Sequence, residues 1–148
     1  KSSGAYHEMS CFMRNTATKT EMLRLLANAR YEVLPTATIE ERIVASVPAG
    51  HAFTVTASLG KGLAATLDLA ERLVGHGYHA VPHLAARMIS GRPELEEIVA
   101  RLLDSGIDSV FVPAGDAEPP AGDYARSVDL PRDPTLMCKP VAHVRGTG

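Results

Sequence analysis

The sequence predicts an α/β protein built on a parallel sheet. Four short apolar runs predict strands, at residues 31–35, 52–56, 79–83 and 109–113, and three of them carry a proline near the carboxyl end. Segments with helical periodicity separate these runs. Alternation of strands and helices is typical of parallel α/β sheets, in which ligands bind at the carboxyl ends of the strands.

Each predicted helix rests on an apolar stripe at helical spacing. Residues 1–20 lack such a stripe and are interpreted as a tail or lead-in, which leaves residues 21–148 as one domain. Proline or glycine follows three of the stripes and ends the helix. In chain order the stripes are Met22, Leu25, Leu26 and Ala29; Ile39, Ile43, Val44 and Val47; Leu63, Leu67, Ala70 and Val74; Leu95, Ile98, Val99, Leu102 and Leu103.

The pattern weakens after the fourth strand. Residues 125–130 could open another helix, but Pro131 and Pro134 interrupt it because proline removes a backbone donor and clashes with the preceding turn. Residues 141–144 could start a fifth strand. Two architectures fit this pattern. One is about half of a TIM (β/α)8 barrel, which takes ~250 residues when complete; the alternative is a small open doubly wound sheet.

Composition narrows the class of partner. The chain has 15 basic and 17 acidic residues and a formal net charge of −2, which argues against an extended nucleic-acid-binding surface. No apolar run approaches the ~20 residues that span a bilayer, so no membrane segment is expected. Cys11 and Cys138 form no recognisable pairing or metal motif, and so few cysteines favour a reducing, cytoplasmic setting.

Four polar residues fall at the carboxyl ends of the predicted strands: Glu32, Thr56, His83 and Asp116. An ionised carboxylate inside an apolar strand is costly unless it faces a cavity or a partner, so Glu32 is a candidate site residue. Each residue also has a simpler interpretation. Glu32 could face outward at an edge, His83 could be structural, and Asp116 could be a turn aspartate.

Other motifs are weak. Gly60-Lys61-Gly62 before a helix could contact a phosphate, but it completes neither the phosphate-binding loop GxxxxGK[ST] nor the dinucleotide fingerprint GxGxxG. The six histidines show no spacing of a known metal motif, and we expect no metal site.

The predicted strand ends resemble the methylenetetrahydrofolate reductase family, including its shorter bacterial members. The resemblance runs from about Arg30 to the carboxyl end and is strongest in Tyr31-Glu32-Val33-Leu34-Pro35, Phe53-Thr54-Val55-Thr56, Val81-Pro82-His83-Leu84 and Gly115-Asp116 with Tyr124-Ala125. It implies a β/α barrel that reduces the methylene group of methylenetetrahydrofolate to a methyl, with FAD recharged by NADH or NADPH. This chain would then be the amino-terminal half of the barrel.

The resemblance also implies roles for individual residues. Glu32 would be the acid that protonates the folate ring nitrogen, and Asp116 would tune the flavin and orient the folate. Further flavin or nicotinamide contacts would come from Thr56, Ala57, Leu59, His83, Ala114, Gly115 and Ala125.

One departure from the family pattern concerns the flavin. The family often has an arginine before Gly-Asp, where this chain has Ala114, so a donor to the phosphate side of the flavin is missing. The alternative function is a non-catalytic fragment that binds a pterin or a protein. An open half-barrel would also expose apolar strand edges, which predicts self-association into a homo-oligomer.

Overall fold

The computed structural model describes residues 18–137 and 143–146. Helix α1 covers residues 18–27. The other elements are β1 (Arg30–Val33), α2 (Ile39–Ser46), β2 (Ala52–Val55), α3 (Gly62–Gly75), β3 (His79–Pro82), α4 (Arg92–Asp104), β4 (Ser109–Val112), α5 (Pro134–Met137) and β5 (His143–Gly146), with a 3-10 turn at Ala86–Met88. No helix in these ranges has the length and apolar composition needed to cross a bilayer.

The strands are parallel and follow the order of the chain. Strand β2 lies between β1 and β3, with Thr54 in register with Glu32 on one side and Val81 on the other. Strand β4 pairs with β5, and a parallel bridge between His83 and Phe111 joins β3 to β4. This confirms the predicted parallel α/β class. A doubly wound sheet reverses its strand order at a switch point, and the described strands show no such reversal.

The hydrophobic core lies between one face of this sheet and the helices. Side chains at alternate strand positions point to opposite faces, so only one set enters the core. Val81 is buried as well, but it lies outside the main core cluster. The strand residues of the cluster are Phe53, Val55, Ala80, Val110 and Val112, and they pack with Leu67, Leu73, Leu95 and Leu102 of the helices. The opposite face of the sheet carries the polar side chains of Arg30, Glu32 and Thr54 together with the apolar Val81 and Phe111.

Charged contacts connect the neighbouring helices. Glu40 of α2 accepts a hydrogen bond from Arg72 Nε of α3 at 2.6 Å and pairs at 3.0 Å with Nε2 of His76, the residue after α3. These hydrogen bonds, from Arg72 first and then His76, lower the pKa of Glu40. Arg101 of α4 contacts Glu71 of α3 through Nε and Nη2. The three helices therefore lie side by side. Within the described ranges the opposite face of the sheet exposes Arg30 and Glu32, and we call it the open face.

The first helix is present as predicted, but its apolar stripe is not buried. The stripe of Met22, Leu25 and Leu26 predicts a buried face, but these side chains are 53–63% exposed. The tail predicted for residues 1–20 overlaps α1 at residues 18–20, while residues 1–17 lie outside the described part of the chain. Periodicity predicted the helix correctly, but it could not predict whether another element covers the apolar side.

Near the carboxyl end, the last helix and the last strand have different boundaries from those predicted. Residues 125–130 are not helical, and α5 begins at Pro134, a position that proline tolerates because the first turn of a helix needs no intrahelical donor. The fifth strand covers His143–Gly146 instead of residues 141–144, and residues 141–142 lie outside the described ranges. Each of the first four strands ends before the last residue of its predicted run.

Candidate functional site

A cleft of about 320 Å³ lies on the open face of the sheet, and we call it the strand cleft. Parallel pairing brings Glu32, Thr54 and Val81 side by side across β1, β2 and β3. The residues lining the strand cleft are Arg30, Glu32, Thr54, Val81, His83, Val110 and Phe111. It therefore combines a cation, a carboxylate and an imidazole with an apolar wall.

A second cleft, of about 200 Å³, lies where the strands end, and we call it the loop cleft. Its lining residues are Thr56, Ala57, Leu59, His83, Ala85, Met88, Pro113, Gly115 and Asp116. His83 lines both clefts, so the two adjoin at its side chain. A larger cleft of about 690 Å³ lies at the amino ends of the strands, but ligands of parallel α/β sheets bind at the carboxyl ends.

A hydrogen bond connects Glu32, which lines the strand cleft, with Thr56, which lines the loop cleft. Thr56 Oγ1 donates to Glu32 Oε1 over 2.9 Å. Glu32 itself is exposed, because β1 lies at the edge of the described sheet and three of its four residues are open to solvent. Glu32 thus lines the strand cleft from an exposed edge strand, a position that agrees both with a site residue and with the simpler interpretation of an outward-facing edge residue.

His83 is half-buried between the two clefts. Its backbone N–H donates to Val55 O over 2.9 Å, which extends the pairing of β2 and β3. The imidazole lies against Phe111, with ring centroids 4.7 Å apart and planes inclined by 46°. Burial lowers the pKa of His83, and the negative charge of Glu32 partly offsets this effect. His83 therefore favours the neutral imidazole, which can both donate and accept a hydrogen bond.

Gly115 brings the loop after β4 against the loop after β3. Its φ of +85° is a left-handed conformation that other residues rarely adopt, and a Cβ here would lie 2.8 Å from Ala85 Cβ. Only glycine allows this approach. It places the following residue, Asp116, at the exposed rim of the loop cleft.

Most of the sequence-predicted site residues come together. Seven line the two clefts: Glu32, Thr56, Ala57, Leu59, His83, Gly115 and Asp116. Ala114 and Ala125 line neither. The carbonyl of Ala114 accepts a hydrogen bond from the backbone of Arg87, and Ala125 is exposed.

The sequence-based prediction of the site missed two residues that lie on the same strand faces as Glu32 and Thr56. Arg30 lies two positions before Glu32, and Thr54 lies two positions before Thr56. Extending the strand alternation backward from the predicted residues would have identified both. Phe111 carried no such signal, because it sits in an apolar run that resembles core. The loop residues Ala85, Met88 and Pro113 were missed as well, because they carry no polar group that would mark them as site residues.

The resemblance implies that the loop cleft contacts FAD, and the side chains that line it bear on that expectation. The small residues Ala57, Ala85 and Gly115 line it beside the polar groups of Thr56 and His83. The diphosphate needs cationic or amide donors.

No lysine or arginine is found among the residues lining the loop cleft. Arg87 lies next to the cleft, between Ala85 and Met88, but it forms an ion pair with Glu118, and its Nε is buried with no partner in the described ranges. The side chains that line the loop cleft in the described part of the chain therefore offer no cation to a diphosphate.

Within the described residues, no three His, Cys, Asp or Glu side chains are grouped so as to hold a metal ion. Comparison of the sequence with protein-family models gives no match, and comparison with curated proteins gives no significant match.

Proposed function

We propose that this protein is an oxidoreductase of the methylenetetrahydrofolate reductase type, which reduces 5,10-methylenetetrahydrofolate to 5-methyltetrahydrofolate with NADH or NADPH. The observation that carries the proposal is the convergence of four residues, Glu32, Thr56, His83 and Asp116, from the ends of four strands onto two adjoining clefts. Closure of these β/α units into a barrel, and a cytoplasmic location, belong to the same proposal.

In this proposal Glu32 supplies the proton that opens the methylene bridge. A proton donor has to lie within hydrogen-bond reach of the atom it protonates. Oε1 of Glu32 is bonded to Thr56, whereas Oε2 has no hydrogen bond within the described ranges, so Oε2 is available to a ligand.

His83 and Phe111 would form the wall against which the planar pterin lies. The imidazole of His83 and the phenyl ring of Phe111 are in contact, and both side chains are half-buried. Asp116 at the rim would accept hydrogen bonds from the amino group and ring N–H of a pterin, for which a carboxylate has two acceptor oxygens.

The resemblance also implies FAD, but no step is assigned to it because no lysine or arginine is among the described residues that line the loop cleft. The same feature favours the alternative function, a non-catalytic fragment that binds a pterin or a protein. Exposure of β1 at the sheet edge is compatible with self-association in either case.

The test is an assay of methylenetetrahydrofolate-dependent NADH or NADPH oxidation by the purified protein, with product identified as 5-methyltetrahydrofolate. We expect Glu32→Gln to lower the rate at least 100-fold, the scale of general acid catalysis at ~10²–10⁴. Glu41→Gln is the matched control, because Glu41 is exposed on α2 and lines neither cleft. Visible absorbance of the purified protein reports bound flavin. Pterin binding without turnover would support the non-catalytic alternative instead.

A further inference from the structure

The contact between Thr56 and Glu32 links two residues 24 positions apart in the chain. Thr56 is the residue after β2, and its own backbone is held on both sides. Its N–H donates to Val33 O over 2.9 Å, and its carbonyl accepts from Thr66 Oγ1 over 3.3 Å. Thr66 is fully buried in α3. The hydroxyl of Thr56 is therefore presented to Glu32 from a backbone that is fixed by the neighbouring strand and helix.

Other polar groups near Glu32 do not hold its carboxylate. Arg30 lies on the same face of β1, Thr54 is its register partner on β2, and His83, the residue after β3, also lines the strand cleft. Within the described ranges, none of these three side chains forms a hydrogen bond or ion pair with Glu32. Thr56 is thus the group that restrains an otherwise exposed carboxylate.

We propose that Thr56 is a positioning residue, which fixes the Glu32 carboxylate through Oε1 and leaves Oε2 for the ligand. A hydroxyl donates to a carboxylate and can accept from a carboxylic acid, so this contact persists whether Glu32 is ionised or protonated. Restraining one oxygen reduces the number of orientations that the side chain must give up when a substrate binds. The catalytic part of this inference rests on the proposed reductase function.

The test uses three variants with two readouts. Thr56→Val removes the hydroxyl at nearly constant volume, Thr56→Ser retains it, and Thr54→Val makes the same change at a neighbouring position that does not bond Glu32. The first readout is the side-chain carboxyl ¹³C resonance of Glu32, assigned by its loss in Glu32→Gln. The second is kcat and KM in the folate assay. Circular dichroism establishes that each variant is folded.

We expect Thr56→Val to move the Glu32 resonance and to lower kcat about tenfold, the order of one lost hydrogen bond to a charged group, with KM changed less than about twofold. Thr56→Ser should restore both values, and Thr54→Val should leave the resonance in place. A Glu32 resonance that does not move in Thr56→Val overturns the proposal, as does a moved resonance with unchanged kcat.

Different results would overturn the proposed reductase function and the proposed positioning role of Thr56. Wild-type protein that is inactive, but whose Glu32 resonance moves in Thr56→Val and returns in Thr56→Ser, overturns the reductase function while confirming that Thr56 restrains Glu32. Active wild-type protein whose resonance and kcat are both insensitive to Thr56→Val retains the function and overturns the positioning role.

Discussion

His83 and Phe111 form a parallel β-bridge, and their rings lie 4.7 Å apart. The bridge is followed by a hydrogen bond from Leu84 N–H to Phe111 O at 2.8 Å, so the sheet continues from β3 to β4 at the carboxyl ends of the strands. The same two side chains line the strand cleft. The same pair of residues therefore links β3 to β4 and contributes to the lining of the strand cleft.

The proximity of Glu32 to His83 predicts a change in histidine titration. Glu32 raises the pKa of His83 because its negative charge favours the imidazolium form, while burial lowers it by a larger amount. Glu32→Gln removes the charge, so the pKa of His83 should fall further. Proton NMR titration of the His83 ring measures this shift, and Glu41→Gln should leave it unchanged. A pKa of His83 that rises, or does not change, in Glu32→Gln would show that the two groups do not interact.

The same pKa predicts how stability depends on pH. Because burial holds the pKa of His83 below that of an exposed histidine, ~6.5, the unfolded chain binds more protons than the folded one between the two values. This contribution is fully present above the unfolded pKa and is lost as the pH falls through the folded one.

Urea denaturation of the wild type and of His83→Gln over this pH range provides the measurement. The free energy of unfolding of the wild type should fall with decreasing pH more steeply than that of the variant. Parallel pH dependences in the two proteins would contradict the assignment.

Gly115 should be intolerant of a side chain. Gly115→Ala forces a residue with a Cβ into a φ of +85° and places that Cβ 2.8 Å from Ala85 Cβ. We expect a loss of about 1–3 kcal/mol in the free energy of unfolding, from backbone strain and the displaced loop. Gly60→Ala is the control, because a Cβ at Gly60 meets nothing within 4 Å. Equal effects of the two substitutions in thermal or chemical denaturation would refute this account.

A buried tyrosine fixes the segment that follows β4. Tyr124 Oη donates to Asp133 Oδ2 over 2.9 Å, and burial first and this hydrogen bond second raise the pKa of Tyr124 to about 12. Burial alone would raise the pKa of Asp133, but hydrogen bonds from Thr135 and Tyr124 and the charge of Arg92 outweigh it and lower the pKa.

Tyr124→Phe removes this donor from a buried carboxylate, and we expect it to cost about 1–3 kcal/mol of stability. Tyr31→Phe serves as the control, since Tyr31 is 38% exposed and its hydroxyl has no partner in the described ranges. Urea denaturation of both variants is the measurement. A loss below about 0.5 kcal/mol for Tyr124→Phe would mean that the hydrogen bond contributes little net stability.

The sequence predicted the strands and central helices well because their signals are local. Alternating apolar residues such as Phe53 and Val55, and the stripe of α4, each carry enough information within a short window. Exposure of α1 could not be predicted, because it depends on what packs against that helix.

The same distinction between local and long-range signals applies to the candidate site. Glu32, Thr56, His83 and Asp116 could be predicted because polar residues at strand ends are recognisable from their position alone. The hydrogen bond from Thr56 to Glu32 could not, since it depends on the register of two parallel strands. The close packing of Gly115 on Ala85 likewise depends on the relative placement of two loops.

The most direct test of the account is binding of a reduced folate at the junction of the two clefts. In a titration with 5-methyltetrahydrofolate, the ring resonances of His83 and the methyl resonance of Thr56 should shift together and saturate with one dissociation constant. The ring of His76, which pairs with Glu40 on the helical face, should not shift. Saturable shifts that spare His83 and Thr56, or no saturable shift at any concentration, would contradict the assignment of this site.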